Sequence, residues 1–306
     1  MITPTFEYNY YKTHRGICIN GDCENVIRDY VSNHYKNKIQ LVLTSPPFPL
    51  KRAKKYGNKT GKEYLDWLCN IGNMLKPLLT ETGSIIIEIG NAWNPGEPTY
   101  STLPIETLIE FKNRCDLYLC QEFIYFNPAR LPGPIEWVNK KRVRVKDSFT
   151  RIWWLSKTPF PYADNQNVKE PYSKQMKRLL ASGKYNAGAR PSEHTISEKA
   201  FAVDNGGAIP SNVIIASNTA SNDSYLKKCK EYGLEIHPAR MAPAIPEFFI
   251  KFLTKENDIV FDCFSGSNTT GAMAERLMRQ WISVELDGRY YEGSRFRFSE
   301  VEEENE

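Results

Sequence analysis

Short apolar runs rich in β-branched residues recur at positions 16–20, 39–44, 84–88, 122–127, 151–156, 258–263 and 281–285. Each has the length of a strand and is bounded by polar or turn-forming residues, so each predicts a strand. Other stretches carry apolar residues at helical spacing. In residues 62–79, Tyr64, Leu65, Leu68, Ile71 and Leu75 fall near a 3.6-residue period, and residues 245–253 and 269–278 are helical candidates too. Strands alternating with amphipathic stretches predict βαβ units, hence an α/β fold around a mostly parallel sheet.

The alternation fails across residues 159–236, which are rich in Ser, Asn, Lys, Gly and Pro. That is too long for an ordinary loop. It also keeps Tyr162, Tyr172, Tyr185, Phe201 and Tyr225, for which a disordered linker has no use. An inserted recognition region is expected there, between a first half at 1–158 and a second at 237–306.

Composition narrows the classes. With 306 residues, 41% apolar and 25% charged, the chain has the make-up of a folded protein with one large domain plus an insert. A net charge of +4 permits nucleic-acid binding without suggesting it, so placement of the cations matters more. Arg130, Lys140, Lys141, Arg142, Arg144, Lys146 and Arg151 cluster where acids are few. Strand alternation would put Arg142, Arg144 and Lys146 on one face, either as a phosphate grip or as a merely solvated face. Lys174, Lys177, Arg178, Lys184 and Arg190 form a second cationic group in the insert. The seven cysteines include no CxxC pair and the four histidines are scattered, which predicts reduced structural thiols and no metal. Residues 2–7 lack a signal-peptide pattern, and no apolar run approaches the ~20 residues of a membrane helix.

Two segments carry candidate chemistry. Asp262-Cys263-Phe264-Ser265-Gly266-Ser267-Asn268-Thr269-Thr270-Gly271 follows the strand Ile259-Val260-Phe261 and turns into a helix. Such a turn aims backbone N–H groups and a positive helix end at a ligand. Gly266 allows close approach, Asn268 tolerates positive φ, and Glu285 ends the next strand, where a carboxylate can grip ribose hydroxyls. A dinucleotide fingerprint would have glycine at 268 and a P-loop would have Gly-Lys-Ser/Thr; neither is present. A turn that holds no ligand remains open. The second segment, Thr44-Ser45-Pro46-Pro47-Phe48-Pro49, ends the run 39–43. Its prolines stop the strand and leave Ser45 Oγ and the Pro46 carbonyl as neighbouring acceptors beside an aromatic ring. A stiff turn with a packed phenylalanine is the alternative.

Together these segments resemble the DNA amino-methyltransferases, in which an (Asp/Asn/Ser)-Pro-Pro-(Tyr/Phe) loop faces a Phe-x-Gly-x-Gly loop. Ser45-Pro46-Pro47-Phe48 and Phe264-Ser265-Gly266-Ser267-Asn268 carry the likeness. His237-Pro238-Ala239-Arg240-Met241 looks like the family's other cofactor segment, and Asn20-Gly21-Asp22 like its Gly-Asp element near the adenine. The catalytic loop precedes the cofactor loop, as in the permuted β group. Serine in that loop is characteristic of the N4-cytosine branch, and 127–157 and Ser217-Asn218-Thr219 extend the likeness.

The resemblance implies a circularly permuted, Rossmann-like S-adenosylmethionine-dependent methyltransferase fold with a target-recognition insert. It implies catalysis at Ser45, Pro46, Pro47 and Phe48. It implies S-adenosyl-L-methionine held by Asp22, His237, Pro238, Ala239, Asp262, Phe264, Ser265, Gly266, Ser267, Asn268, Thr269 and Glu285. Asn268 departs from the family's usual glycine. The expected partner is double-stranded DNA, gripped through Arg130, Arg142, Arg144, Lys146, Lys174, Lys177 and Arg178, with a cognate restriction endonuclease as genetic partner. A monomer or homodimer in a bacterial or archaeal cytosol is expected. The same scaffold serves N6-adenine methylation, and a catalytically silent DNA-binding relative would keep much of it.

Overall fold

The computed structural model describes residues 8–48, 59–183, 188–197, 203–217, 223–298 and 302–303. Pro49, Lys184, Tyr185, Phe201, Asn218 and Thr219 lie outside the described residues. The strands are β1 (Tyr10–Lys12), β2 (Gly16–Asn20), β3 (Ile39–Thr44), β4 (Leu79–Ile89), β5 (Tyr118–Phe126), β6 (Phe149–Ser156), β7 (Gly188–Ala189), β8 (Thr195–Ile196), β9 (Val213–Ile215), β10 (Ile259–Asp262), β11 (Gln280–Glu285) and β12 (Glu302–Glu303). The helices are α1 (Cys23–Val26) and α2 (Ser32–Tyr35), which flank a π-helical turn, then α3 (Gly61–Leu75), α4 (Leu103–Arg114), α5 (Lys174–Ser182), α6 (Ser224–Glu231), α7 (Ala244–Leu253), α8 (Thr269–Arg276) and α9 (Gly288–Ser294).

One sheet runs β12-β1-β2-β11-β10-β3-β4-β6-β5-β9, and β7 pairs with β8 apart from it. From β2 to β4 all neighbours in that order are parallel. Both faces are covered, which is why these strands read as continuous apolar runs. Ile17, Ile19, Ile85 and Ile87 meet Tyr64, Leu68, Ile71 and Leu75 of α3 on one face. Cys18, Leu41, Leu43 and Ile86 meet Ile245, Phe249, Ile250 and Leu253 of α7 on the other. The expected α/β architecture is thus present.

Chain direction explains where a ligand can sit. From β3 the chain passes through α3 to β4 on one side, while from β10 it passes through α8 to β11 on the other. The order therefore reverses between β3 and β10, and open α/β sheets bind ligands in the crevice at such a point.

Several local expectations are corrected. The helix expected over 62–79 stops at Leu75, because Pro77 sits in a tight turn and lacks the N–H that a helix would use. Leu79 already begins β4. Helix α4 was not expected; it opens on Leu103-Pro104 and buries Leu103, Thr107 and Phe111 at four-residue spacing. Residues 142–146 are not a strand. Arg142 takes a φ of 56°, Arg144 turns to Asp147 at 3.2 Å, and Lys146 Nζ donates to Pro128 O at 3.1 Å and Arg130 O at 3.3 Å. The three cations therefore do not share an extended face.

A separate compact unit is formed by Asp164–Ser211, shorter than the expected 159–236. Val213–Ile215 instead pairs in parallel with β5, and α6 buries Tyr225 and Cys229 within the larger unit. The smaller unit holds α5, β7 and β8. All seven cysteines are free thiols, buried except for the part-exposed Cys120. Among the described residues no helix is long and apolar enough to cross a membrane.

Candidate active site

One cleft of about 1560 Å³ opens where the parallel strands end, lined by residues from the ends of β2, β11, β10, β3 and β4. Pockets for one small ligand run to roughly 300–1,000 Å³, so this cleft has room for two adjoining groups. Thr44 and Asp262 tie the two sides of the switch point together: Thr44 Oγ1 donates to Asp262 Oδ1 at 2.7 Å. Burial pushes the Asp262 carboxyl up to about 6, against hydrogen bonds from Thr44, Thr270 and the Phe264 N–H.

The turn after β10 is held from the next strand. Gly266 N donates to Glu285 Oε2 at 2.7 Å, and Asp287 N donates to Glu285 Oε1 at 2.9 Å. Each carboxylate oxygen thus keeps a lone-pair site open, a spacing that suits a vicinal diol. Burial raises Glu285 to about 7, with the two N–H groups pulling the other way. Gly266 has a φ of 53°, and a β-carbon there would stand 3.2 Å from the His237 ring. His237 itself meets Tyr290 edge-on at 4.5 Å between centroids, and burial lowers it to about 4, so the ring is neutral. Phe264 packs against Trp67 at 5.5 Å, and Asp22 caps α1 through Asn25 N at 3.1 Å while bordering the cleft. A diol acceptor at Glu285, a turn at Gly266 whose positive φ presents its backbone to the cleft, and aromatic walls fit a nucleoside-bearing cofactor such as S-adenosyl-L-methionine.

On the other side of the switch point lies the 45–48 segment. Ser45 Oγ stands 3.4 Å from Glu88 O, a long and weak bond that leaves the hydroxyl free to rotate. No described residue donates to the Pro46 carbonyl oxygen. Ser45, Pro46, Pro47 and Phe48 all line the cleft, with Phe48 half-buried.

Behind this segment is a polar wall that the sequence reading did not single out. Glu88, in β4, accepts from Thr150 Oγ1 of β6 at 2.9 Å, and Tyr125 of β5 pairs with Thr150 across the ladder. The Tyr125 hydroxyl is buried without a hydrogen-bond partner and borders the cleft. Burial raises Glu88 to about 7, opposed by the Thr150 bond and the Arg130 charge. A carboxylate inside the apolar run Ile85-Ile86-Ile87-Glu88-Ile89 was the available signal; Thr150 and Tyr125 had none, since only strand register brings them there.

Of the expected cofactor residues, Asp22, His237, Ala239, Asp262, Phe264, Ser265, Gly266, Ser267, Thr269 and Glu285 line the cleft. Pro238 and Asn268 do not. Asn268 is fully buried with a φ of 56°; its amide donates to Tyr11 OH at 3.1 Å and accepts from Ser283 Oγ at 2.7 Å and Gly271 N at 3.1 Å. It fixes the turn to the sheet rather than facing a ligand. Of the expected DNA contacts, Arg130 lines the cleft and donates to Phe149 O at 3.1 Å. Arg142 is exposed with no ion pair to a described residue, whereas Arg144 is turned inward to Asp147 and over the Tyr100 ring. Lys174, Lys177 and Arg178 are exposed on α5 at i, i+3 and i+4, hence on one helix face.

Residues 39–296 match the DNA methylase family model for N6 and N4 enzymes. The chain is 42% identical over 290 residues to the Type II methyltransferase M.PvuII of Proteus hauseri, covering 94% of this chain and 85% of that one. The solved PvuII DNA methyltransferase (cytosine-N4-specific) matches with a TM-score of 0.77 at 37% identity, covering 97% of this chain and 91% of that one. A putative DNA modification methylase from Thermus thermophilus, solved in complex with S-adenosyl-L-methionine, shares the fold at a TM-score of 0.53 and 17% identity, covering 94% and 93%.

Proposed function

The chain belongs to the DNA methylase family, and from that premise we propose that it methylates the N4 amino group of a cytosine turned out of duplex DNA. The observation that carries this reading is the pair of acceptors, Ser45 Oγ and a Pro46 carbonyl to which no described residue donates, side by side in a cleft that also has a nucleoside-sized site.

An exocyclic amine is a poor nucleophile because its lone pair is delocalised into the ring. Ser45 Oγ and Pro46 O accept its two N–H groups and so favour a pyramidal nitrogen whose lone pair is available. Pro46 and Pro47 hold the two acceptors at fixed spacing. Phe48 stacks on the base, which has to leave the duplex because a stacked base cannot reach the loop. Glu285 holds ribose hydroxyls, and the 262–269 turn and His237 segment enclose the rest of the cofactor. S-adenosyl-L-methionine supplies, when bound, an electrophilic methyl on a sulfonium sulfur. Positioning accounts for much of the rate, with no covalent intermediate on the protein.

The likeness to a Type II methyltransferase supports a site-specific enzyme that protects DNA in a restriction–modification pair, acting in a bacterial or archaeal cytosol. The exposed cationic face of α5 supports target reading by the Asp164–Ser211 unit. Sequencing DNA from cells expressing the protein, with a method that separates N4-methylcytosine, N6-methyladenine and 5-methylcytosine, tests the reading. N4-methylcytosine at one short site is expected; N6-methyladenine would reassign the substrate, and unmodified DNA would overturn the proposal.

A further inference from the structure

Turning a base out of a duplex leaves a gap in the stack, and losing that stacking costs energy unless something fills the space. Proteins that distort DNA commonly fill such gaps with an apolar side chain. The segment joining β5 to β6 carries one in a suitable place. Leu131 is 84% exposed, yet it borders the same cleft as Phe48.

Exposure alone would say little, since single exposed leucines are common on protein surfaces. What distinguishes Leu131 is how firmly its base is held. Asn127 N donates to Ser148 O at 2.9 Å, closing the segment, and Arg130 N donates back to Asn127 O at 3.2 Å. Lys146 Nζ bonds both Pro128 O and Arg130 O, while the Arg130 guanidinium is anchored on Phe149 O. On the other side Pro132 fixes its own φ and restricts Leu131 to extended backbone. An apolar side chain therefore projects into solvent from a stiff mount, so little mobility is lost when it is inserted. The other strongly exposed apolar residues of this segment, Ile135, Val143 and Val145, do not line the cleft. Exposed Lys141 and Arg142, later in the same segment, supply charge for the flanking phosphates.

We infer that Leu131 is a wedge that enters duplex DNA as the target base leaves it, occupying the vacated space while the base sits on Phe48. The inference rests on the methylation reading above and adds a residue that acts on extrusion instead of on methyl transfer.

The test compares Leu131→Ala with wild type in single-turnover methylation, using labelled S-adenosyl-L-methionine and duplexes bearing the mapped site. One duplex is intact; in the other the guanine opposite the target is replaced by an abasic linker, so the base is already loosened. On intact duplex Leu131→Ala should be slower by about ten- to a hundredfold, the worth of one buried leucine side chain. On the loosened duplex most of that deficit should vanish, and Leu131→Met should stay close to wild type on both. Equal rates for Leu131→Ala and wild type on intact duplex, or the same deficit on both duplexes, overturn the wedge. Wild type failing to methylate either duplex would instead overturn the methylation reading itself, so the two failures are distinct.

Discussion

Phe48 occupies the space that a side chain at Gly90 would need: a β-carbon built there would meet the ring Cδ2 at 2.3 Å. Gly90 follows β4 directly, and its backbone has no positive φ. What the position requires is the missing side chain, not glycine's backbone freedom. The end of β4 thus sets where the ring stands, and its Glu88 carbonyl accepts a long, 3.4 Å hydrogen bond from Ser45 Oγ.

Gly90→Ala should therefore displace the Phe48 ring while leaving the Glu285 side of the cleft intact. Affinity for S-adenosyl-L-methionine by calorimetry should hold. Affinity for target DNA should fall by up to the worth of one aromatic–base stack, about 1–3 kcal/mol. Unchanged DNA binding would show that the ring's seat is unimportant.

Ser45→Ala and Phe48→Ala should separate chemistry from capture. Removing the Ser45 acceptor should slow single-turnover transfer with little change in DNA or cofactor affinity, the pattern of an interaction that strengthens in the transition state. Phe48→Ala should weaken binding of normal target DNA, and an abasic target, which offers nothing to stack on, should erase its difference from wild type. A Ser45→Ala enzyme as fast as wild type would remove this loop from the chemistry.

How much of this was legible depended on how local the cause is. Ser45, Phe48 and Glu285 stand at strand ends flanked by prolines or by the next turn, and short apolar runs mark those ends. The oddity at Asn268 was visible too, but its partners Tyr11 and Ser283 come from other strands, so its role as a brace was not. Glu88 gains meaning only through Thr150, 62 residues away. The alternating Arg142-Val143-Arg144-Val145-Lys146 pattern misled because a folded-back loop can alternate as well as a strand. Two of its cations found acceptors on Asp147, Pro128 and Arg130, where no period points.

Glu285 should make cofactor binding pH-dependent. Its free-state value of about 7 lies above the ordinary 4.5, so the folded protein keeps a proton that the unfolded chain has lost. The stability from this group is full below the unfolded value and is lost as pH rises through about 7. Hydroxyl donors favour the ionised carboxylate, so cofactor binding should release protons and tighten with pH, by at most about tenfold per unit below the free-state value. Glu285→Gln should flatten both trends and weaken binding by about 1–3 kcal/mol. Calorimetry in buffers of different ionisation enthalpy that detects no proton release would refute the linkage.

Glu88 should impose its own limb on the rate. Being half-ionised at about 7, it can accept a proton near neutrality, and it lines the same cleft as Ser45, Pro46, Pro47 and Phe48. If it takes the proton that the nitrogen sheds, the single-turnover rate should climb with pH through about 7 and level off above it. Glu88→Gln keeps a carbonyl acceptor available to Thr150 but cannot titrate, so it should be slower and lose this limb. A profile unchanged by Glu88→Gln would confine Glu88 to a structural part.

The two arginines that alternation placed together should behave differently. Arg142 is exposed and has no ion pair to a described residue, so Arg142→Ala should leave the melting temperature unchanged and weaken binding to all DNA sequences alike. Its slope of log K against log salt should shrink by up to about 0.9, the share of one phosphate contact. Arg144 is 13% exposed, paired with Asp147 at 11%, and covers the Tyr100 ring at 4.6 Å. Arg144→Ala leaves Asp147 without that cation and loosens the segment that presents Leu131 and Arg130. It should cost about 1–3 kcal/mol of stability, the usual penalty for orphaning a part-buried charged partner. Its salt slope should stay near that of wild type, because the guanidinium is already engaged. Thermal melts and salt titrations on the two variants check this directly. An Arg144→Ala protein of full stability with a reduced salt slope would return Arg144 to the DNA-binding surface and mean that the Asp147 pair opens when DNA arrives.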